Sequence, residues 1–262
     1  MATLSTFHWN PARLLQEDDT TDSYALLILN QPLKNSANLR RLWKNAAVRV
    51  AADGGANRLH AISTFHGKFA NLQVIIGDLD SLTPTVRQFY TSQPNATEVI
   101  KDDDQESSDF GKAVAWIRKT QPSDTDTVVI GGIGGRVDQG LSQLHHIHLF
   151  QKDPTYSQGR MYLLSGSSFT FLLKPGKHEI RVRNDGEDDV FAKYVGIIPL
   201  EGPSTISTKG LEWDVTNWDT RIGGRISTSN HILPETKIVE IETTHDVIFT
   251  VALRQGDNDD DA

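Results

Sequence analysis

The sequence predicts two domains of different class: an α/β domain built on a parallel sheet, then an all-β sandwich or partial barrel. Three observations carry this. Up to about residue 155, short apolar runs alternate with segments at helical spacing. Beyond it, strand-like runs follow one another with only turn residues between them. The length, 262 residues, is long for one domain and short for three.

Residues 1–22 are polar and unpatterned and read as an N-terminal arm, with Phe7 and Trp9 available to pack onto the body. Tyr24–Leu29 is a short, fully apolar strand. Leu39, Leu42 and Trp43 then recur at helical spacing, and Ala47–Ala52 is a second strand ending in Asp53-Gly54-Gly55-Ala56-Asn57. A helix with Leu59 and Ile62 on one face leads to a third strand, Val74–Ile76, which stops at Gly77-Asp78-Leu79-Asp80-Ser81. Thr83-Pro84 opens the next helix, with proline at its first position. A weaker strand, Glu98–Ile100, runs into an acidic stretch ending at Asp109. Phe110, Ala113, Val114 and Ile117 then share one helical face, and Ser107 or Ser108 is the expected N-cap. That puts Asp109 in the first turn, with Lys112 three residues on and on the same side. A fifth strand, Thr127–Ile130, ends in Gly131-Gly132-Ile133-Gly134-Gly135-Arg136-Val137-Asp138-Gln139, followed by a helix through Leu141, Leu144, His145 and His148.

Beyond Met161–Leu164 the predicted strands are 169–173, 178–182, 194–200, 205–215, 225–231, 237–242 and 247–253. Turn signals such as Pro175-Gly176, Gly202-Pro203 and Gly223-Gly224 separate them. The expected boundaries are therefore 1–22 for the arm, 23–158 for the α/β domain, 159–254 for the β domain and 255–262 for a disordered acidic tail.

Composition excludes several functions. The net charge is -8, and Asp257, Asp259, Asp260 and Asp261 account for four of those charges, leaving -4. There is no basic footprint of a nucleic-acid binder. Cysteine is absent, so disulfides, thiolate metal sites and cysteine nucleophiles are excluded. No signal peptide opens the chain and no apolar run approaches the ~20 residues that span a bilayer, so a cytoplasmic location is expected, without membrane partners. The phosphate-binding G-x-x-x-x-G-K-[ST] loop is missing, and the glycines at 131–135 do not fit G-x-G-x-x-G.

In a parallel α/β sheet, ligands bind at the carboxyl ends of the strands. Four chemically loaded loops occupy that position: Asp53-Gly54-Gly55, Gly77-Asp78-Leu79-Asp80, the acidic run to Asp109, and Gly131 to Gln139. Glycines let backbone N–H groups approach phosphates. Carboxylates beside phosphates need a cation between them, which is how Mg²⁺ assists phosphoryl transfer. Asp78, Asp80 and Asp109 are candidate ligands, with Arg136 and Lys112 as positive charges for phosphate oxygens. Each has an ordinary alternative: a solvated turn for Asp78 and Asp80, a helix-dipole carboxylate for Asp109, a surface ion pair for Arg136. His145, His146 and His148 read as ordinary helix residues, since no nearby carboxylate completes a zinc site. In the β region Trp213 is either core or a stacking platform for a heteroaromatic ligand.

Taken together, Ala52–Asn57, Gly77–Ser81, Asp104–Lys112, Gly131–Gln139, Gly210–Trp213 and Ser227–Asn230 resemble the motifs of the thiamine pyrophosphokinase family, in the family's order and over nearly the whole chain. The resemblance implies a Rossmann-like N-terminal α/β domain, a C-terminal β-sandwich, and a homodimer with active sites at the subunit interface. It implies transfer of the pyrophosphoryl group of ATP to the hydroxyl of thiamine, with Mg²⁺ as cofactor. Asp78, Asp80 and Asp109 match the family's magnesium-binding acids. Asp53, Gly54, Gly55, Asn57, Ser108, Lys112, Arg136, Asp138 and Gln139 match its ATP and pyrophosphate region, with Asp138 placed to orient or deprotonate the thiamine hydroxyl. Trp213, Ser229 and Asn230 match its thiamine-binding region. Glu106 stands where the family has aspartate, and insertions relative to the family pattern are expected around 184–192 and 217–224. The other readings are a metal-dependent phosphohydrolase or nucleotidyl-sugar transferase, and a non-catalytic sensor of nucleotide or thiamine.

Overall fold

A computed structural model describes residues 5–16, 24–34, 36–66, 69–183 and 189–254. The acidic tail at 255–262, part of the arm and part of the 184–192 stretch lie outside the described residues. The chain begins with strand β1 (Thr6–Trp9) and a 3-10 turn (Pro11–Leu15). It continues through β2 (Tyr24–Ile28), α1 (Ser36–Asn45), β3 (Val48–Ala52), α2 (Gly55–His66), β4 (Val74–Gly77), α3 (Pro84–Thr91), β5 (Glu98–Lys101), α4 (Asp109–Thr120), β6 (Asp126–Ile130), α5 (Val137–Phe150) and β7 (Met161–Leu164). Eight further strands follow without a helix among the described residues: β8 (Ser168–Leu173), β9 (Gly176–Arg181), β10 (Phe191–Ile198), β11 (Ser204–Lys209), β12 (Trp218–Thr220), β13 (Ser227–His231), β14 (Ile238–Thr243) and β15 (Val247–Leu253). The chain divides into two compact units, 20–166 and 1–19 with 167–261.

In the first unit six parallel strands lie in the order β7-β6-β2-β3-β4-β5. Strands β2, β4 and β7 are buried along their whole length, which is why each reads as a continuous apolar run. The chain moves outward from β2 to β5 and then returns to place β6 on the other side of β2. That reversal leaves a crevice at the carboxyl ends of the strands. Strand β7 pairs in parallel with β6, and the compact unit that holds both runs to Gly166.

Helix α5 forms where the sequence reading put a helix. Leu141 is exposed and Val137 is 79% exposed, whereas Gln143, His146 and Ile147 are buried, so polar side chains share the buried face.

The second unit contains a β1-β9-β14-β11-β12 sheet and an antiparallel β13-β10-β15-β8 arrangement. The strand expected over 205–215 is broken. Gly210 adopts a left-handed φ of +97°, and the Asp214 carboxylate accepts hydrogen bonds from the Gly210 and Leu211 N–H groups. The chain therefore turns before β12 pairs back onto β11.

The arm read as unpatterned supplies β1, which pairs in parallel with β9. Trp9 is buried, stacks on Phe171 at 4.6 Å and donates from Nε1 to His178 Nδ1 at 3.0 Å. His178 in turn donates from Nε2 to the Lys174 carbonyl at 2.7 Å. Trp9→Ala removes the buried ring, its stack on Phe171 and its hydrogen bond to His178, so a loss of about 3 kcal/mol is expected. A fall in Tm of about 10 °C in a thermal melt would report it. An unchanged Tm would show that β1 does not hold this unit together.

Candidate active site

The crevice of the parallel unit opens into a cavity of about 420 Å³ bordered by Leu29, Asp53, Asp78, Asp109, Gln139 and His146. Each acid owes its position to the local backbone. Asp53 follows β3 with a left-handed φ of 41°; its N–H donates to the Ile76 carbonyl at 3.0 Å and its Oδ2 accepts from the Ser81 N–H at 3.1 Å. Asp78 follows β4, and its Oδ1 accepts from the Asp80 N–H at 3.0 Å across Leu79, whose φ is 66°. A left-handed leucine costs roughly 1–3 kcal/mol and persists only where the surroundings hold it. Asp109 opens α4 behind its N-cap Ser108, whose Oγ accepts from the Gly111 N–H at 3.1 Å. The Asp109 Oδ1 accepts from the Asp78 N–H at 3.2 Å.

These arrangements bring one oxygen each of Asp53, Asp78 and Asp109 within 4.8 Å of one another. Gly77 makes the convergence possible, because a Cβ there would meet Asp109 Oδ1 at 2.8 Å and Asp53 Cβ at 2.9 Å. Burial, reinforced by the neighbouring charges of Asp78 and Asp53, pushes the Asp109 carboxyl above the ordinary range. Asp53 Oδ1 is buried and has no hydrogen-bond partner. Three converging carboxylates, one of them with a buried oxygen that has no hydrogen-bond partner, are costly in the bare protein and suit a hard divalent cation, which takes oxygen ligands. The donor set fits magnesium.

Asp80 is exposed and is not one of the three converging acids. Asp53, grouped by resemblance with the nucleotide region, is. Asn57 donates to the Ser81 carbonyl at 2.7 Å and accepts from the Thr83 N–H at 3.2 Å, so its amide fixes the loop after β4. Gly54 and Gly55 permit close approach: Cβ atoms there would meet Asn30 Nδ2 at 2.3 Å and the Ile28 carbonyl at 2.4 Å. Lys112 is buried, donates to the Asp102 carbonyl at 2.8 Å and lies 3.7 Å from Asp109 Oδ1. Arg136 and Asp138 form an exposed bidentate pair at 3.0 and 2.5 Å. The guanidinium holds the Asp138 carboxyl below the usual range. Glu106 is exposed, and its N–H donates to Asp104 Oδ1 at 2.9 Å.

Beyond Asn30 and Gln31, which the sequence reading did not single out, the cavity-lining residues of α5 that it did not assign to the site are Ser142, Gln143 and His146. With Gln139 they stand at i, i+3, i+4 and i+7 on α5, a polar helical stripe that was the available signal. His146 stacks on Phe110 at 4.9 Å, and burial pushes its pKa down, so the ring is neutral at physiological pH.

In the β-rich unit, Trp213 is 55% exposed. The buried Asn230 clamps its backbone, accepting from the Trp213 N–H at 3.2 Å and donating to its carbonyl at 2.9 Å. Ser229 is exposed, with a left-handed φ of 59°.

This fold and cavity define a parallel-sheet α/β enzyme with an acidic site at its strand ends. Comparison with known proteins is specific. The thiamin pyrophosphokinase catalytic-domain model matches residues 39–156, and the thiamin pyrophosphokinase vitamin B1 binding-domain model matches residues 177–248. Thiamine pyrophosphokinase 3 of Oryza sativa subsp. japonica is 36% identical over 248 residues, covering 88% of each chain. The crystal structure of yeast thiamin pyrophosphokinase is 26% identical with a TM-score of 0.80, covering 95% of this chain and 91% of that one. The thiamin pyrophosphokinase of Candida albicans shares the fold at a TM-score of 0.81 and 23% identity, covering 97% and 95%. The chain belongs to the thiamine pyrophosphokinase family.

Proposed function

We propose that this protein is a transferase that moves the pyrophosphoryl group of ATP to the hydroxyl of thiamine, giving thiamine diphosphate and AMP. Family membership supports the reaction. What supports siting it in the cavity is the convergence there of Asp53, Asp78 and Asp109, with one buried Asp53 oxygen lacking a partner. The thiamine hydroxyl oxygen attacks the β-phosphorus of ATP, the bond from that phosphorus to the α,β-bridging oxygen breaks, and AMP departs with that oxygen while the hydroxyl loses its proton.

Asp78, Asp109 and Asp53, with Asp80 on the same loop as Asp78, would hold magnesium, which would supply charge neutralisation for the phosphate oxygens. The chain's own groups do the rest. The backbone N–H groups of Gly54, Gly55 and the glycines before Arg136 meet the phosphates at the strand ends. Asn57 and Ser108 fix the loops carrying the acids. Lys112 offsets part of the negative charge at Asp109, while Arg136 and Gln139 face ATP with Asp138 orienting the acceptor. Trp213, Ser229 and Asn230 take the thiamine. We read the α/β unit as the Rossmann-like nucleotide domain and the β-rich unit as the β-sandwich thiamine domain. We read the functional assembly as a cytoplasmic homodimer with active sites at the subunit interface; the exposed Trp213, not spent on core packing, agrees with that. Among the described residues no helix is long and apolar enough to cross a membrane.

Purified protein with ATP, Mg²⁺ and thiamine is expected to release AMP and thiamine diphosphate in equal amounts, followed by chromatography. Products of ADP and thiamine monophosphate, or hydrolysis without transfer to thiamine, would refute the proposal.

A further inference from the structure

Helix α5 carries a buried histidine that the reaction described above does not use. The Nδ1 of His146 lies 2.6 Å from the Ser142 carbonyl, which can only accept, so Nδ1 carries the ring hydrogen. In the neutral ring Nε2 is then an acceptor, and it lies 2.7 Å from Ser108 Oγ. The serine hydroxyl therefore gives its hydrogen to His146. That leaves an oxygen lone pair to accept from the Gly111 N–H at 3.1 Å, the N-cap bond of α4. Asp109 is the next residue, and its carboxylate meets the Asp78 N–H at 3.2 Å. An unbroken set of contacts thus runs from the Ser142 carbonyl through His146 and Ser108 to the first turn of α4 and the acid at its head. The stack of His146 on Phe110 fixes the plane of the ring.

We propose that His146 is a positioning residue for the acidic site: by fixing the Ser108 hydroxyl it holds the N-terminal turn of α4 in the orientation that brings Asp109 to Asp53 and Asp78. The inference rests on the reading of Asp109 as a metal ligand. Groups that orient metal ligands from behind typically control affinity by about 10-fold or more. Phenylalanine at 146 would keep the stack and the burial while removing both ring nitrogens.

Manganese(II) binding to the full-length protein, titrated by electron paramagnetic resonance without substrates, tests this. His146→Phe is expected to weaken Mn²⁺ about 10-fold and to lower kcat with little change in the KM for thiamine. Ser108→Ala should do the same, and Ser108→Thr, which keeps the hydroxyl, should bind Mn²⁺ more tightly than Ser108→Ala. The double variant should be no weaker than either single one, because both remove one shared link. Wild-type Mn²⁺ affinity in a folded His146→Phe protein, or additive losses in the double variant, would overturn the proposal. Should His146→Phe fail to fold, Ser108→Ala decides: affinity equal to that of wild type overturns it. Asp109→Asn separates the two levels. If that change leaves Mn²⁺ affinity intact, the metal-ligand reading falls and the His146 inference with it. If it weakens Mn²⁺ and His146→Phe does not, only the inference fails.

Discussion

Asp78→Asn is expected to lower kcat on the order of 10³-fold while leaving the metal-free protein as stable as wild type or more so. The first half follows from the charge that transfer requires. A metal-assisted site supplies several kcal/mol of stabilisation to developing phosphate charge, and about 4 kcal/mol corresponds to about 10³ in rate. Asparagine keeps the size of the side chain and a carbonyl oxygen to accept from the Asp80 N–H, so the turn through Leu79 survives. The second half follows from repulsion. In the bare protein three carboxylates converge within 4.8 Å, and Asp109 is already driven toward its neutral form by burial and by its two acidic neighbours. Removing one charge relieves that. Magnesium should therefore raise the Tm of wild-type protein, since a ligand bound only to the native state stabilises it, and should raise that of Asp78→Asn much less. Steady-state kinetics and thermal melts with and without Mg²⁺ check both halves. Turnover within tenfold of wild type would remove Asp78 from the site, and wholesale unfolding of the variant would mean that it serves the core instead.

The parallel sheet was legible because its central strands are buried on both faces. Tyr24–Ile28 and Val74–Gly77 are buried at every position, and apolar runs that short, bounded by polar and turn residues, read as buried strands. The loops at their ends were legible for the same topological reason. What escaped depended on partners distant in sequence. Strand β1 is defined by pairing with β9, about 170 residues later, and nothing in its own four residues announces it. Asp53 joins the acids only because a left-handed backbone turns it toward Gly77, and Gly77 has no side chain to stop it. Helix α5 was legible as a helix, but which of its faces meets the cavity was not, because that depends on loops distant in sequence. Gln143 and His146 are buried at the cavity and Leu141 is exposed, so the polar residues rather than the leucines mark the site.

Trp213→Ala is expected to raise the KM for thiamine by about 10- to 100-fold and to leave the KM for ATP nearly unchanged. Stacking of a heteroaromatic base on an aromatic side chain is worth about 1–3 kcal/mol, and each 1.4 kcal/mol is tenfold in affinity. The local structure agrees with a platform more than with core packing. More than half of the Trp213 surface is open at 55% exposure, and its ring meets His231 at 5.0 Å with a tilt of 46°, leaving a face uncovered. Its backbone is nevertheless held from both sides by the buried amide of Asn230. An exposed ring on a rigid backbone loses little conformational freedom when a ligand stacks on it, which favours affinity. Exposure also separates the functional effect from the structural one, because truncating a side chain outside the core shifts stability by no more than about 0.5 kcal/mol. Trp213→Phe, which keeps a smaller aromatic face, should fall between wild type and alanine. Kinetics at saturating ATP with thiamine varied, alongside a thermal melt, give the two readings together. An unchanged KM for thiamine in a folded Trp213→Ala protein would assign the tryptophan to another surface role, and a large drop in Tm would return it to the core.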